Sequence, residues 1–131
     1  MRKILPYALA IFFFMASGAL CAEVPKEGQV LPAFQLSSPP VKGDADYLGI
    51  KRETFGIKDI ECKAVLVEII GVYCQRCYQQ VPLFNKLFAR LEKKGLGDKI
   101  KMLAVAAGGT VNEVEHLRAS NAYEYPVVKD E

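Results

Sequence analysis

Two rhythms of apolar and polar positions organise the second half of the chain. Ala64-Val65-Leu66-Val67-Glu68-Ile69-Ile70 is a β-branched apolar run interrupted by one carboxylate, the pattern of a buried strand. Beyond it, Cys77, Val81, Phe84, Leu87, Phe88 and Leu91 recur at helical spacing and predict a helix from Cys74 to Lys94. Gly95-Leu96-Gly97-Asp98 stops that helix with the residues expected past a C-cap. Ile100 to Ala106 predicts a second buried strand, closed by Gly108-Gly109. Thr110 is placed as an N-cap with Glu113 as its capping-box partner, opening a helix through Val114 and Leu117 to Ser120. Tyr125-Pro126-Val127-Val128 reads as a short last strand, with the proline near its start.

Strand, helix, strand, helix, strand predicts an α/β array of βαβ crossovers around a mainly parallel central sheet. The upstream pattern is weaker. Residues 23–38 read as extended and turn-rich, with Phe34 and Leu36 alternating, and Pro39-Pro40 through Gly43-Asp44 reads as a surface loop. From Tyr47 to Asp59, Ile50, Phe55 and Ile57, with Ile60 just beyond, suggest a strand or turn that covers the core.

The first stretch obeys neither rhythm. Arg2 and Lys3 precede a nearly uncharged apolar segment from Ile4 to Leu20, then Cys21-Ala22 and the charged Glu23. A basic start, an apolar centre and a small residue at the cut make residues 1–22 a signal peptide, expected to be cleaved after Ala22. An uncleaved membrane anchor is the alternative, since the run is almost long enough to span a bilayer. Lipid attachment at Cys21 fits less well, because Leu20 is not small. Every version places the domain, residues 23–131, outside the cytoplasm, in the periplasm or at the extracytoplasmic face of the membrane. The chain has 17 Lys and Arg against 15 Asp and Glu, and Arg2 and Lys3 account for the difference, so the part from Glu23 onward is neutral. Without a basic patch interleaved with aromatics, nucleic acid is excluded as a partner.

Export also changes the meaning of the cysteines. Cys21 leaves with the leader, and Cys62, Cys74 and Cys77 remain. Cys74 and Cys77 lie three apart at a strand-to-helix turn, where a disulfide can close within one helical turn. The unpaired N–H groups of the helix start favour a thiolate at Cys74. The same spacing serves as half of a zinc site, but the chain has one histidine, His116, and no second CxxC to complete four ligands. Tyr78 stands where covalent haem attachment needs histidine. A redox dithiol is the favoured reading, with no metal and no cofactor; an intermolecular metal site and an inert thiol pair are the alternatives. Cys62 lies at the other end of the 64–70 strand. At about 3.3 Å per residue it is roughly 20 Å from Cys74, beyond the ~7 Å Cα separation of a disulfide, and it reads as a bystander thiol.

The strand–CxxC–helix unit resembles the thioredoxin-like superfamily. Pro82 matches the proline that kinks that family's active-site helix, and Glu68 matches the acid buried beneath its dithiol. Gly28-Gln29-Val30-Leu31-Pro32-Ala33-Phe34-Gln35-Leu36 is similar to the GxxxPxFxL opening of exported TlpA/ResA-type thiol–disulfide oxidoreductases and related peroxiredoxins. Tyr73 replaces the usual tryptophan before the first cysteine, and Gln75-Arg76 replaces dipeptides that often contain proline. The resemblance implies catalytic roles for Cys74, Cys77 and Glu68: Cys74 as exposed nucleophile, Cys77 as buried resolving thiol, Glu68 as proton relay. It implies protein disulfides as substrates, a membrane or periplasmic thiol–disulfide electron donor, and service in cytochrome c maturation. Arg76 is a candidate for adding positive charge near Cys74, and His116 reads as an exposed helix residue without a role.

The family also carries a cis-proline strand, a hairpin and a last helix after the position of Glu131. The resemblance therefore implies an incomplete domain, with an unpaired edge on the 64–70 strand and a tendency to associate. Pro126 precedes the cis-proline position and is not that residue. An inactive redox or binding module is the second reading. A thiol peroxidase is the third, although Val72-Tyr73-Cys74 does not match the peroxidatic loop of the peroxiredoxins.

Overall fold

β-branched and apolar residues at Ala64–Ile70 and Ile100–Ala106 form two strands, β3 and β4, that pair in parallel from Ala64 on Ile100 to Ile70 on Ala106. The computed structural model describes residues 26–120 and 122–130. The expected leader, residues 1–22, lies outside the described residues. The chain divides into two units, 1–32 and 33–131. In the first, the described part is a turn in which the Gln29 N–H donates to the Lys26 carbonyl at 3.1 Å, with Gly28 at φ 80°.

The second unit holds the fold. Two short strands, β1 (Leu36–Ser37) and β2 (Thr54–Phe55), pair antiparallel and bracket helix α1 (Lys42–Leu48), and a 3₁₀ turn follows at Ile57–Asp59. After β3 come helix α2 (Gln75–Lys93), β4, helix α3 (Val111–Ala119) and strand β5 (Val127–Lys129), parallel to β4. The main sheet has the order β3-β4-β5.

Period-two alternation sends the strand residues to two cores. Leu66, Ile70, Met102, Ala104, Ala106 and Val127 pack under α2 and α3. Val65, Val67, Leu103, Val105 and Val128 pack on the other face against Leu36, Leu48, Phe55 and Ile60. The result is a three-layer arrangement with β4 in the middle, its residues Met102 to Ala106 all buried.

β3 is less buried than its apolar pattern predicts. It stands at the edge of the sheet, its outer side without a strand partner among the described residues, and Ile69 is 64% exposed. An edge strand is covered on fewer sides, so its apolar residues stay half-buried. α1 is the second difference. Residues 42–48, split between the expected surface loop and the undecided stretch after it, form a helix, which Gly49 ends at φ 72° while the Ile50 N–H reaches back to the Ala45 carbonyl at 2.9 Å. The last strand begins two residues later than expected, because Pro126 has no N–H to give; its carbonyl accepts from the Ala104 N–H at 2.9 Å. Among the described residues no peptide bond is cis, that of Pro126 included.

α1 is held by a buried ion pair. Asp44, 5% exposed, accepts from Arg118 Nε at 2.6 Å and Nη2 at 2.5 Å, while Arg118 Nη1 donates to the Tyr123 carbonyl. One guanidinium thus joins α1, α3 and the segment before β5, the bidentate geometry that arginine supplies and lysine does not. Replacing one partner leaves the other charge buried without compensation. Arg118→Ala is expected to lower stability in urea denaturation by about 3–5 kcal/mol. Lys42→Ala, which removes only the exposed pair with Asp46, should cost under about 1 kcal/mol. Equal losses in the two variants would show that the buried pair is not a structural tie.

Candidate active site

The carboxyl end of β3 delivers Cys74 to the start of α2, the place where open parallel sheets present their chemistry. Cys74 is the N-cap of α2, in extended conformation at φ −80° and ψ 96°, and its sulfur accepts from the Cys77 N–H at 3.2 Å. Cys74 and Cys77 form a disulfide with Cα atoms 5.3 Å apart, closing the ring within the first turn. Both cysteines are partly buried; Cys77 packs against the core with Ile70 and Val81, and Cys74 takes no part in that core. Arg76 is exposed on the outer side of the turn. Pro82 lies inside α2, which runs through it to Lys93.

The loop that presents Cys74 is braced from two sides. The Tyr78 hydroxyl donates to the Val72 carbonyl at 2.6 Å. The Tyr73 hydroxyl donates to Glu113 Oε1 at 2.7 Å, while Glu113 Oε2 accepts from the Thr110 N–H at 2.8 Å and the Thr110 hydroxyl at 2.7 Å. The capping box read from the sequence is therefore present, and the same carboxylate also anchors the residue before Cys74. Gly109 belongs to this joint: a Cβ there would lie 3.1 Å from Val72 Cγ2 and from Ala106, so a side chain would push the two loops apart. Val72, Tyr73, Tyr78, Glu113 and His116 help line a cleft of about 270 Å³ beside the dithiol. His116 is exposed and makes no hydrogen bond through its ring among the described residues.

Glu68 is partly buried on β3, on the α2 side of the sheet by its alternation with Leu66 and Ile70. Its Oε2 accepts a hydrogen bond from the Tyr125 hydroxyl, and among the described residues no cation pairs with it. The Tyr125 ring is fully buried, 6.0 Å from the Phe88 ring and 5.7 Å from that of Tyr123. Burial first, and the Glu68 carboxylate second, push the Tyr125 phenol well above its usual value. Burial and the same carboxylate push Tyr123 up to about 12. Both remain neutral phenols at any physiological pH. The sequence pattern places Tyr125 in a strand, and its position before Pro126 carries no sign that its hydroxyl reaches Glu68.

Cys62 is a free, partly buried thiol whose sulfur lies 3.3 Å from the Ala64 carbonyl. It packs with the core on the face away from α2, so the two cysteine sites do not meet. Among the described residues no group of three or more His, Cys, Asp or Glu is placed to hold a metal, and no helix is long and apolar enough to cross a membrane.

A crystal structure described as a thiol:disulfide interchange protein DsbE of Chlorobium tepidum superposes with a TM-score of 0.58 at 20% identity, over 82% of this chain and 64% of that one. The solution structure of an uncharacterized thioredoxin-like protein of Porphyromonas gingivalis superposes with a TM-score of 0.51 at 19% identity, over 76% of this chain and 59% of the other. The chain thus spans less than two thirds of either structure. No family model and no curated protein matches it. The chain has a thioredoxin-like fold, with its CxxC pair at the strand-to-helix turn.

Glu113 carries a pH dependence. The hydrogen bond from Tyr73, followed by those from Thr110, lowers its pKa from the ordinary 4.5 to about 2. A carboxylate held below its unfolded value stabilises the folded state above the unfolded pKa, and that stabilisation is lost as pH falls through the folded one. The contribution should be intact above about pH 4.5 and disappear towards pH 2. Glu113→Gln is expected to flatten the part of the urea-stability profile that falls between these pH values. A variant profile parallel to the wild type would show that Glu113 is not the group responsible.

Proposed function

We propose that this chain is an exported thiol–disulfide oxidoreductase that reduces protein disulfides. The observation that carries the reading is the Cys74–Cys77 disulfide closed within the first turn of α2, with a helix N–H on the Cys74 sulfur. The reduced pair attacks a substrate disulfide through the Cys74 thiolate, forming a Cys74–substrate mixed disulfide and releasing one substrate thiolate, which takes up a proton. Cys77 then gives its proton to the Glu68 carboxylate through water, and its thiolate attacks the Cys74 sulfur. The second substrate thiolate leaves and is protonated, and the dithiol becomes the disulfide. Two electrons pass from the protein to the substrate. A thiol–disulfide donor protein in the periplasm or the membrane returns them by the same exchange run towards the dithiol.

The residues around the pair support this direction of attack. Helix N–H groups at Cys74 favour its thiolate, while Cys77 lies against an apolar core that favours the thiol. The DsbE-described neighbour is named for thiol:disulfide interchange, and the leader-like residues 1–22 support export. On this reading the working compartment is the periplasm or the extracytoplasmic face of the membrane, and cytochrome c maturation, which presents a cysteine pair for reduction, is a process the protein serves.

Insulin-disulfide reduction tests the activity, with peroxide consumption as the parallel assay for a thiol peroxidase. Cys74→Ser is expected to abolish insulin reduction, and Cys77→Ser to stall it at the mixed disulfide. In single-cysteine variants Cys74 should be alkylated faster than Cys77 at neutral pH, and the reverse order would overturn the assignment of roles. Glu68→Gln should fold and slow insulin reduction by roughly a hundredfold at neutral pH, the lower end for a positioned proton acceptor. A folded Glu68→Gln protein with an unchanged pH–rate profile would return Glu68 to a structural role.

A further inference from the structure

We infer that Tyr125 is a positioning residue for the dithiol chemistry, acting through Glu68: its buried hydroxyl holds the carboxylate as the proton acceptor for Cys77. The inference rests on the function proposed above and names a residue that the CxxC pattern does not contain. It begins with register. On the α2 face of the sheet, Glu68 of β3 is level with Ala104 of β4, and Ala104 is level with Val127 of β5. Ala104 carries only a methyl group, so the sheet face is low between β3 and β5. Tyr125, two residues before Val127, extends its ring across this low ground and places its hydroxyl on Glu68 Oε2.

The ring has little freedom to do anything else. It is fully buried and packs against Phe88 and Tyr123. Its backbone precedes Pro126, which restricts it to extended conformations. Tyr123, next to it, is tied through its carbonyl to Arg118, which is itself fixed by Asp44. The donor therefore stands in place before the carboxylate needs it, and no side-chain entropy has to be lost at the moment of proton transfer.

The groups facing Glu68 limit what else could hold it. The Tyr125 hydroxyl bonds to it and the Tyr123 phenol lies near enough to feel its charge, while the core under α2 and α3 is built of apolar residues together with Cys77. None of these is a cation. A hydrogen bond donated to a carboxylate favours its ionised form, and Glu68 must be ionised to accept the Cys77 proton. Removing the Tyr125 hydroxyl should make the active form harder to populate at low pH without weakening it at high pH.

The experiment compares Tyr125→Phe with the wild type across pH, alone and in a Glu68→Gln background. The phenylalanine keeps the ring and its packing and removes only the donor. The acid limb of the insulin-reduction profile should move to higher pH, while the high-pH plateau stays within about twofold. In the Glu68→Gln background the same substitution should leave the profile unchanged. An unmoved limb, a loss of equal size at every pH, or the same shift without Glu68 would overturn the inference.

A second readout does not need catalysis. In the Cys74→Ser protein, iodoacetamide alkylation of Cys77 reports the proton on that thiol. Its pH profile should move upward on Tyr125→Phe when Glu68 is present and stay fixed when it is glutamine. If the wild-type protein fails to reduce insulin but shows this Glu68-dependent shift, the reductase reading fails and the Tyr125–Glu68–Cys77 linkage stands. An alkylation profile indifferent to Tyr125 overturns the linkage whatever the insulin assay shows.

Discussion

The parallel pairing of β3 with β4 decides where every other element can act. Because Ile70 is level with Ala106, the two strands end together, and the loops that follow them emerge side by side. One loop carries Val72, Tyr73 and Cys74; the other carries Gly108, Gly109 and the Thr110 cap of α3. Their closeness explains three features at once: the absence of a side chain at Gly109, the hydrogen bond from Tyr73 to Glu113, and the cleft between them. The Ala107 N–H donating to the Ile70 carbonyl at 2.9 Å continues the ladder one step past the strands and keeps the loops in step. A one-residue slip would send Glu68 to the opposite face and leave Cys74 facing away from α3.

The second tie acts from the far side of the sheet order. Arg118 joins α1, α3 and the Tyr123 carbonyl, so the segment that carries Tyr123 and Tyr125 is held to the scaffold before β5 begins. Asn85 of α2 adds a second clamp, donating to the Ala122 carbonyl at 2.8 Å and accepting from the Glu124 N–H at 3.1 Å. The segment that supplies the tyrosines is therefore fastened both to the helix that bears the dithiol and to the helix that braces its loop. A hydroxyl that must meet a carboxylate within a few tenths of an ångström needs this kind of support, since a loosely held donor loses most of its effect.

The strands and the two long helices could be read from the sequence because their periodicity is strong and their ends carry explicit signals. α2 starts within a residue of the expected Cys74, and Gly95 beyond it and the Thr110–Glu113 box stand where the pattern placed them. α1 was hidden by its composition. Pro39-Pro40 before it and Gly43-Asp44 within it are turn-like locally, and a seven-residue helix has little propensity of its own. Its stability comes from Arg118, 74 residues away, and from Leu48 in the second core. The Gly49-Ile50 stop was the one local signal that favoured a helix there. The role of Tyr125 was out of reach for a different reason. It joins Glu68 over 57 residues, and only the order and register of three strands bring the two together. The CxxC pair, by contrast, is a local motif, and so it was visible at once.

Partial burial gives the Glu68 carboxylate its particular environment. A glutamate sealed in a central strand would be costly to ionise, and one fully in water would exchange protons with solvent as readily as with Cys77. Glu68 is partly buried, on the α2 side of the sheet by its alternation with Leu66 and Ile70. Tyr125 reaches it from within the sheet. On the reading proposed above, the phenol keeps the carboxylate oriented between turnovers.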